Sequence, residues 1–375
     1  MFKWIFHIGR IVKIGHTLSK HDALMDIIKL FNDGPKNLEK LRNIKLKYDV
    51  SAKPETPLVI ALQNLGPGFI KIGQALATRP DIIGTETAFD LLKLQDDVPP
   101  FPGKKAIQII EADLGLKITD LFEEFSAEPI AAASIAQVHM ARTTKGKKVA
   151  VKVLRPGIAK AFKRDLEAFT WLAGIAELFS NEARRLRPSK VIETIAEVIS
   201  LEMDLRIEAA SAAELKQNVK NNPYYDVPEV DWSRTSRRVL TTGWVDGISF
   251  KKLEKIKSAG LNPNKLAENL VQSFLSQALN DGFFHADLHQ GNLFASLDNK
   301  VTAIDFGIMG RIDLPTRRAL ANILYGFANQ DYDRIAKAHF DMGYVPKNQD
   351  YVNFKQAIRA IGEPVVGKPL SEISA

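Results

Sequence analysis

Between Ile135 and Pro156 the chain reads IAQVHMARTTKGKKVAVKVLRP, with β-branched and polar residues alternating on both sides of Lys145-Gly146. This pattern predicts two antiparallel strands joined by a tight turn, with Lys152 on the second strand. Around the hairpin the periodicity is mostly helical: from near Leu58, from Gly103 to about Asp113, through one long stretch from Ser189 to Val219, and again from Asn262 onward. VPEV and RRVLTTGWVDG read as further strands, and HADLHQGNLF and VTAIDFG interrupt the C-terminal helices. Pro54 and Pro57 mark a connector over Lys45 to Pro57, and Pro99, Pro100 and Pro102 mark a second one. No internal repeat is visible, and a hairpin set among helices places the chain in the α+β class.

The 375 residues, 45% of them hydrophobic, are enough for a two-lobed body with an extension. The absence of cysteine excludes disulfides, thiolate metal sites and cysteine nucleophiles. The formal charge is +7, and the first fifty residues, with ten Lys/Arg against five Asp/Glu, hold +5 of it. Lys3, Arg10, Lys13 and Lys20 fall in one sector of a helical wheel, beside Trp4, Ile5, Ile8, Ile11, Val12 and Leu18. A helix of this kind is expected to lie on an anionic membrane surface with its basic face in the headgroups. Arg10 and Lys13 break any secretory apolar core, and no stretch reaches the roughly 18 apolar residues of a membrane span.

Four features in a fixed order then specify chemistry. Lys152, in VAVK, is a strand lysine of the kind that holds α- and β-phosphate oxygens when a helix carboxylate orients it. Glu202, Asp204 and Glu208 are candidate partners; on one continuous helix Asp204 and Glu208 would share a face, with Glu202 nearly opposite Asp204. In HADLHQGN, Asp287 precedes Asn292 by the spacing with which a kinase catalytic loop orients the attacking hydroxyl and reaches a magnesium ion. In AIDFG, Asp305 is a candidate magnesium ligand and Gly307 permits a sharp turn. The set points to a two-lobed protein-kinase-like fold with a helical N-terminal extension, binding ATP and Mg²⁺. His285 and His289 flank Asp287 without an evident third soft ligand for zinc. Where such a fold would carry a glycine-rich loop, this chain has IAAASIAQV, so Ile130, Ala131, Ala132, Ala133, Ser134, Ile135, Ala136, Gln137 and Val138 are the expected nucleotide-binding segment, stiffer than a glycine loop.

The sequence closely resembles the UbiB family of atypical kinases. The resemblance rests on Lys71-Ile72-Gly73-Gln74 as a KxGQ motif, the alanine run, Glu202-Met203-Asp204 as ExD, His285 to Asn292, and Asp305-Phe306-Gly307, over about Leu65 to Gly310. It implies that Lys71 and Gln74, on one helix face, cover the cleft where a protein substrate would lie, with Lys71 held by the ExD carboxylates. The expected domains are a basic N-terminal segment and connector (1–55), a helical extension (56–128), an N-lobe (129–246) and a C-lobe (247–375). The function implied is an ATP-binding kinase or ATPase on the cytoplasmic face of the inner membrane that supports ubiquinone biosynthesis. Its partners would be a membrane lipid or quinone precursor and other ubiquinone-biosynthesis proteins, with no nucleic acid. Two alternatives stand beside it: a small-molecule phosphotransferase, since HADLHQGN lacks the arginine of the protein-kinase loop, and a non-catalytic nucleotide-switched scaffold. Family members continue into a hydrophobic C-terminal anchor, so an end at Ala375 implies a fragment or a short form.

Overall fold

The computed structural model describes residues 3–23, 56–77, 83–92, 94, 99–179 and 181–365. Most of the expected Lys45–Pro57 connector lies outside them. The chain divides into two compact units, Met1–Ile207 with Val230–Trp244, and Glu208–Glu229 with Val245–Ala375.

The first unit opens with helices α1 (Lys3–Lys20), α2 (Pro57–Leu65), α3 (Pro67–Ala77) and α4 (Thr85–Leu91). Pro57 starts α2 where a missing N–H costs nothing, and Leu58, Ala61, Leu62 and Leu65 recur at helical spacing to form its buried stripe. They share a core with Ile14, Leu18, Phe69 and Leu91. Then come α5 (Gly103–Leu114), the single turn α6 (Ile118–Leu121), and strands β1 (Phe122–Ala132), β2 (Ala136–Thr143) and β3 (Lys148–Leu154). Ala106, Ile109 and Ile110 of α5 pack on Val149, Val151 and Val153, so α5 covers one face of the sheet. The predicted hairpin is present as β2–β3, with Gly146 in the left-handed region (φ 77°) that the turn requires. The strand β1 before it is additional to the sequence reading. Helices α7 (Ile158–Phe179), α8 (Asn181–Leu186) and α9 (Pro188–Glu202) follow, and then α10 (Leu205–Asn218), which belongs to the second unit from Glu208 on.

The stretch expected as one helix from Ser189 to Val219 is therefore two. Met203 leaves helical geometry (φ −82°, ψ 4°), Leu205 N–H donates to Arg237 O, and Asp204 Oδ1 accepts Arg206 N–H at 3.1 Å as α10 begins. Helix α1 also departs from expectation. Arg10 Nε and Nη2 lie 2.7 and 2.8 Å from the two carboxylate oxygens of buried Asp165 on α7, so this cation holds the helix to the protein. Ile14 and Leu18 are buried beside it, while Ile8, Val12 and Lys13 are exposed.

After α10 the chain forms β4 (Tyr225–Asp226) and β5 (Val239–Gly243); β5 completes the first unit's antiparallel sheet in the order β1-β2-β3-β5. Of the expected VPEV strand, only Val230 makes a bridge, to Thr242.

The second unit continues with β6 (Ile248–Ser249), α11 (Leu253–Ser258), α12 (Pro263–Ser276), β7 (Phe283–His285), β8 (Leu293–Ala295), β9 (Val301–Ala303), β10 (Met309–Arg311), α13 (Leu314–Ala328), α14 (Tyr332–Asp341) and α15 (Tyr351–Gly362). Asn262 caps α12 by accepting the N–H groups of Asn264 and Lys265. The strands form two small sheets, β4-β9-β8-β6 and β10-β7. Tyr332, Ile335, Ala336 and Ile358 make a separate helical core.

Candidate active site

In the first unit the two-residue period of β3 decides where Lys152 points. Val149, Val151 and Val153 are buried against α5, so Lys148, Ala150 and Lys152 lie on the opposite face of the sheet. Lys152 is in register with Val138 on β2 and Leu240 on β5.

The alanine run is a strand, a turn and a strand. Ile130, Ala131 and Ala132 close β1, Ala133, Ser134 and Ile135 make the turn, and Ala136, Gln137 and Val138 open β2. Ala133 N–H donates to Ala136 O at 2.8 Å. None of the residues from Ile130 to Val138 adopts a positive φ, so the turn accepts Cβ atoms without strain.

Its shape is held from behind by two side chains that sequence reasoning missed or placed differently. Arg155 donates from Nε to Ala133 O and from Nη1 to Pro99 O, both at 2.9 Å, while its own N–H donates to Ile135 O at 2.8 Å. Gln137, fully buried, spends its amide on the backbone of Phe101, accepting its N–H at 3.0 Å and donating to its carbonyl at 3.1 Å. The second Gln137 N–H points at His139 Nε2 (2.8 Å), and His139 Nδ1–H donates to Ser126 O (2.8 Å). Burial holds the His139 imidazole below its ordinary pKa, against the upward pull of the Ser126 bond.

Lys71 and Gln74 share a face of α3. Lys71 Nζ is 3.4 Å from Glu202 Oε2, both side chains being mostly buried. Gln74 Nε2 donates to Leu94 O at 3.3 Å. Between them Gly73 allows a close approach, since a Cβ there would overlap Leu94 Cδ1. Of the two ExD carboxylates, Glu202 thus meets Lys71, whereas Asp204 is paired with Arg206 at 2.6 Å. The break at Met203 separates them and voids the helical-wheel relation among Glu202, Asp204 and Glu208.

In the second unit, pairing of short strands nests one loop inside another. β7 and β8 bound the loop from Ala286 to Asn292, β9 and β10 bound the loop from Ile304 to Ile308, β7 pairs with β10, and β8 with β9. Bonds from Ala286 N to Ile308 O (3.1 Å) and from Ile304 N to Asn292 O (2.8 Å) continue both ladders. Asp287 and Asp305 each lie one residue beyond these bonds. Asn292 Nδ2 donates to Asp287 O and Oδ2, at 3.2 and 3.4 Å, which leaves Oδ1 as its acceptor toward any cation.

His285, weighed in the sequence only as a metal ligand, joins the two loops. It is fully buried; Nε2–H donates to Asp305 O (2.8 Å) and Nδ1 accepts Asp287 N–H (3.1 Å), which fixes the neutral tautomer. Burial lowers its pKa, against the opposing pull of the Asp305 and Ile304 backbone and the Asp305 and Asp287 charges. Asp305 sits in the left-handed region (φ 65°), its Oδ1 accepting Gly307 N–H at 3.3 Å. Phe306 is buried edge-on to His285, and its N–H donates to buried Glu208 at 3.4 Å. The oxygen donors Asn292 and Asp305 suit a hard divalent cation such as magnesium.

The model of the ABC1 atypical kinase-like domain matches residues 93–339. Proteins described as "Probable protein kinase UbiB" from Marinobacter nauticus and Pseudomonas fluorescens are each 42% identical over 321 residues, or 84% of this chain. The chain spans about 60% of the length of these relatives. Among solved structures, a Mycobacterium tuberculosis protein in complex with erythromycin is similar at a TM-score of 0.58 and 25% identity, covering 88% of this chain and 80% of its own. With its α+β, kinase-like architecture, the chain belongs to the ABC1 atypical kinase-like family, in its UbiB branch.

Proposed function

We propose that this protein binds ATP with magnesium and cleaves its terminal phosphoryl bond, as a UbiB-type kinase or ATPase at a membrane surface in support of ubiquinone biosynthesis. The nesting of the Asp287–Asn292 loop with the Asp305 loop carries the reading, because it gathers a base and two oxygen ligands on neighbouring backbone. In it, Asn292 Oδ1 and the Asp305 carboxylate hold Mg²⁺, which neutralises charge on the β- and γ-phosphates when bound. Asp287 orients the acceptor hydroxyl or water. Lys152 takes the α- and β-phosphates, and the alanine turn offers backbone. Lys71, Gln74 and Glu202 restrain α3 and its surroundings, Asp204 holds the start of α10, and Glu208 restrains the Asp305 loop. Membrane association is supported by the exposed Ile8, Val12 and Lys13 of α1; among the described residues no helix is long and apolar enough to cross a membrane.

ADP release from ATP, measured for the parent and for Asp287→Asn with and without anionic liposomes, tests this. The parent turns over and the variant does not; equal rates would reject catalysis and favour a nucleotide-switched scaffold. Liposome flotation that leaves the protein at the bottom would reject the membrane surface. A second reading, a small-molecule phosphotransferase, is supported by the loop without arginine and by the similar protein bound to erythromycin. A phosphorylated small molecule formed from cell extract would establish it.

A further inference from the structure

Helix α7 carries its apolar stripe past the point where the first unit buries it. Ile158, Phe162, Asp165 and Ala168 recur at helical spacing and are buried, yet Leu172 and Phe179, on the same side of the helix, are exposed, Phe179 at 86%. Leu178 points the other way and is 74% exposed. The last turn of α7 is therefore apolar on two sides, and among the described residues nothing covers either. The start of α9 returns beside this turn, where Ser189 N–H donates to Glu177 Oε1 at 2.9 Å. That bond brings Arg187 next to the apolar pair, and Arg184 and Arg185 of the intervening α8 are exposed with it. From Glu177 to Lys190 four Lys/Arg stand against two Glu, and one of these, Glu177, is spent on the Ser189 bond.

We propose that this corner of α7, α8 and α9 is a membrane-inserting tip, with Leu178 and Phe179 entering the headgroup boundary of an anionic bilayer and Arg184, Arg185 and Arg187 holding its phosphates. The inference rests on the membrane-surface reading of the function and goes beyond it, because it gives the bilayer a contact separate from α1. Charge decides for lipid. Guanidinium forks match phosphate oxygens in pairs, and each cation near an anionic surface strengthens binding about fivefold. Shape agrees, since a side chain as exposed as Phe179 needs a preformed pocket in a folded partner, whereas lipid closes around it.

The chain has no cysteine, so one introduced thiol can be labelled alone. Full-length Phe179→Cys carrying a nitrobenzoxadiazole fluorophore should shift to the blue on phosphatidylglycerol vesicles and be quenched by lipids brominated in the acyl chain. The same label at Lys145→Cys, in the exposed hairpin turn, should do neither. Without a label, Leu178→Ser with Phe179→Ser should weaken binding to phosphatidylglycerol vesicles at least about tenfold. Arg184→Gln with Arg187→Asn should weaken it about twentyfold there and hardly change it on phosphatidylcholine, asparagine tolerating the left-handed backbone of Arg187 (φ 50°). A parent that binds vesicles while the label at position 179 stays unquenched would overturn the tip and leave α1 as the membrane contact. A parent that binds no vesicle would overturn both. A blue shift that grows with protein concentration in the absence of lipid would assign the corner to a second copy, and one produced only by membrane-free extract would assign it to a protein partner; either would overturn the tip.

Discussion

The two units hold their candidate functional groups by opposite means. In the first, the segment proposed to meet a ligand is backbone, the alanine turn, and side chains hold it in shape: Arg155 on Ala133 O and Pro99 O, Gln137 on Phe101. In the second, the groups proposed to work are side chains, Asp287, Asn292 and Asp305, and strand pairing with the bridge through His285 holds the backbone beneath them. The difference predicts different kinds of damage. Substitutions of working residues should be chemically severe and structurally mild in the second unit. In the first unit the severe structural losses should come from residues that touch no ligand.

The largest effect expected is on turnover. Asp305→Asn removes a negative oxygen but keeps an acceptor for Gly307 N–H and tolerates the left-handed backbone, so the loop should persist. By analogy with losing one preorganised electrostatic group, ADP release should fall by at least about a hundredfold. The urea midpoint should stay near that of the parent. An equally large loss of stability would break the comparison, because Asp305 would then be part of the scaffold.

Gln137→Ala is the counterpart in the first unit. It leaves Phe101 N–H, Phe101 C=O and His139 Nε2 without their shared partner in a buried place. Unfolding should become easier by about 2–4 kcal/mol, since each stranded buried group costs on the order of 1–3 kcal/mol and water recovers part of it. Urea denaturation followed by circular dichroism measures this. A loss below about 1 kcal/mol, the net worth of a single ordinary hydrogen bond, would mean that the network does not hold the turn.

The same contrast explains what the sequence made legible. The side chains proposed to work sit at fixed spacings that such chemistry demands, so Lys152, Asp287, Asn292 and Asp305 could be read as motifs; the resemblance put both ExD carboxylates on Lys71, of which only Glu202 meets it. Supporting side chains obey no spacing: Arg155 reaches Pro99, and Gln137 reaches Phe101, across sequence that carries no pattern. β1 escaped notice because it is an edge strand with register shifts and a proline, Pro129, which an edge tolerates and which spoils the alternation. The break at Met203 escaped because SLEMDLRIEA contains neither glycine nor proline; only the capping aspartate Asp204 marks it. The basic wheel of α1 misled for Arg10, whose partner Asp165 lies far along the chain.

Each unit also buries a neutral histidine, which gives the comparison a pH axis. His139 and His285 both have pKa values below the ordinary 6.5, chiefly through burial. The unfolded chain therefore binds more protons than the folded one just below that value, so stability rises with pH there. The contribution of both is complete above about pH 6.5 and is lost as the pH falls from there toward the lowered folded values. Urea midpoints should decline between pH 7 and pH 5, and His285→Asn should flatten part of that decline while the His139 share remains. An unchanged slope in His285→Asn would show that His285 is not kept neutral by its bonds to Asp305 and Asp287.

The smallest effect should come from the alanine turn itself. Ala132 is paired with Gln137 at the end of β1 and has no positive φ, so glycine there relieves no strain and adds only backbone freedom. Ala132→Gly should destabilise by about 0.5–1 kcal/mol. It should change ATP and ADP affinities by no more than about threefold, the turn remaining fastened through Ala133 and Ile135. Fluorescence titration with both nucleotides measures it. A change of tenfold or more would mean that the Cβ atoms, and not Arg155 and Gln137 behind them, set the shape of the turn. The turn would then be governed by its own residues and not by the side chains that fasten it.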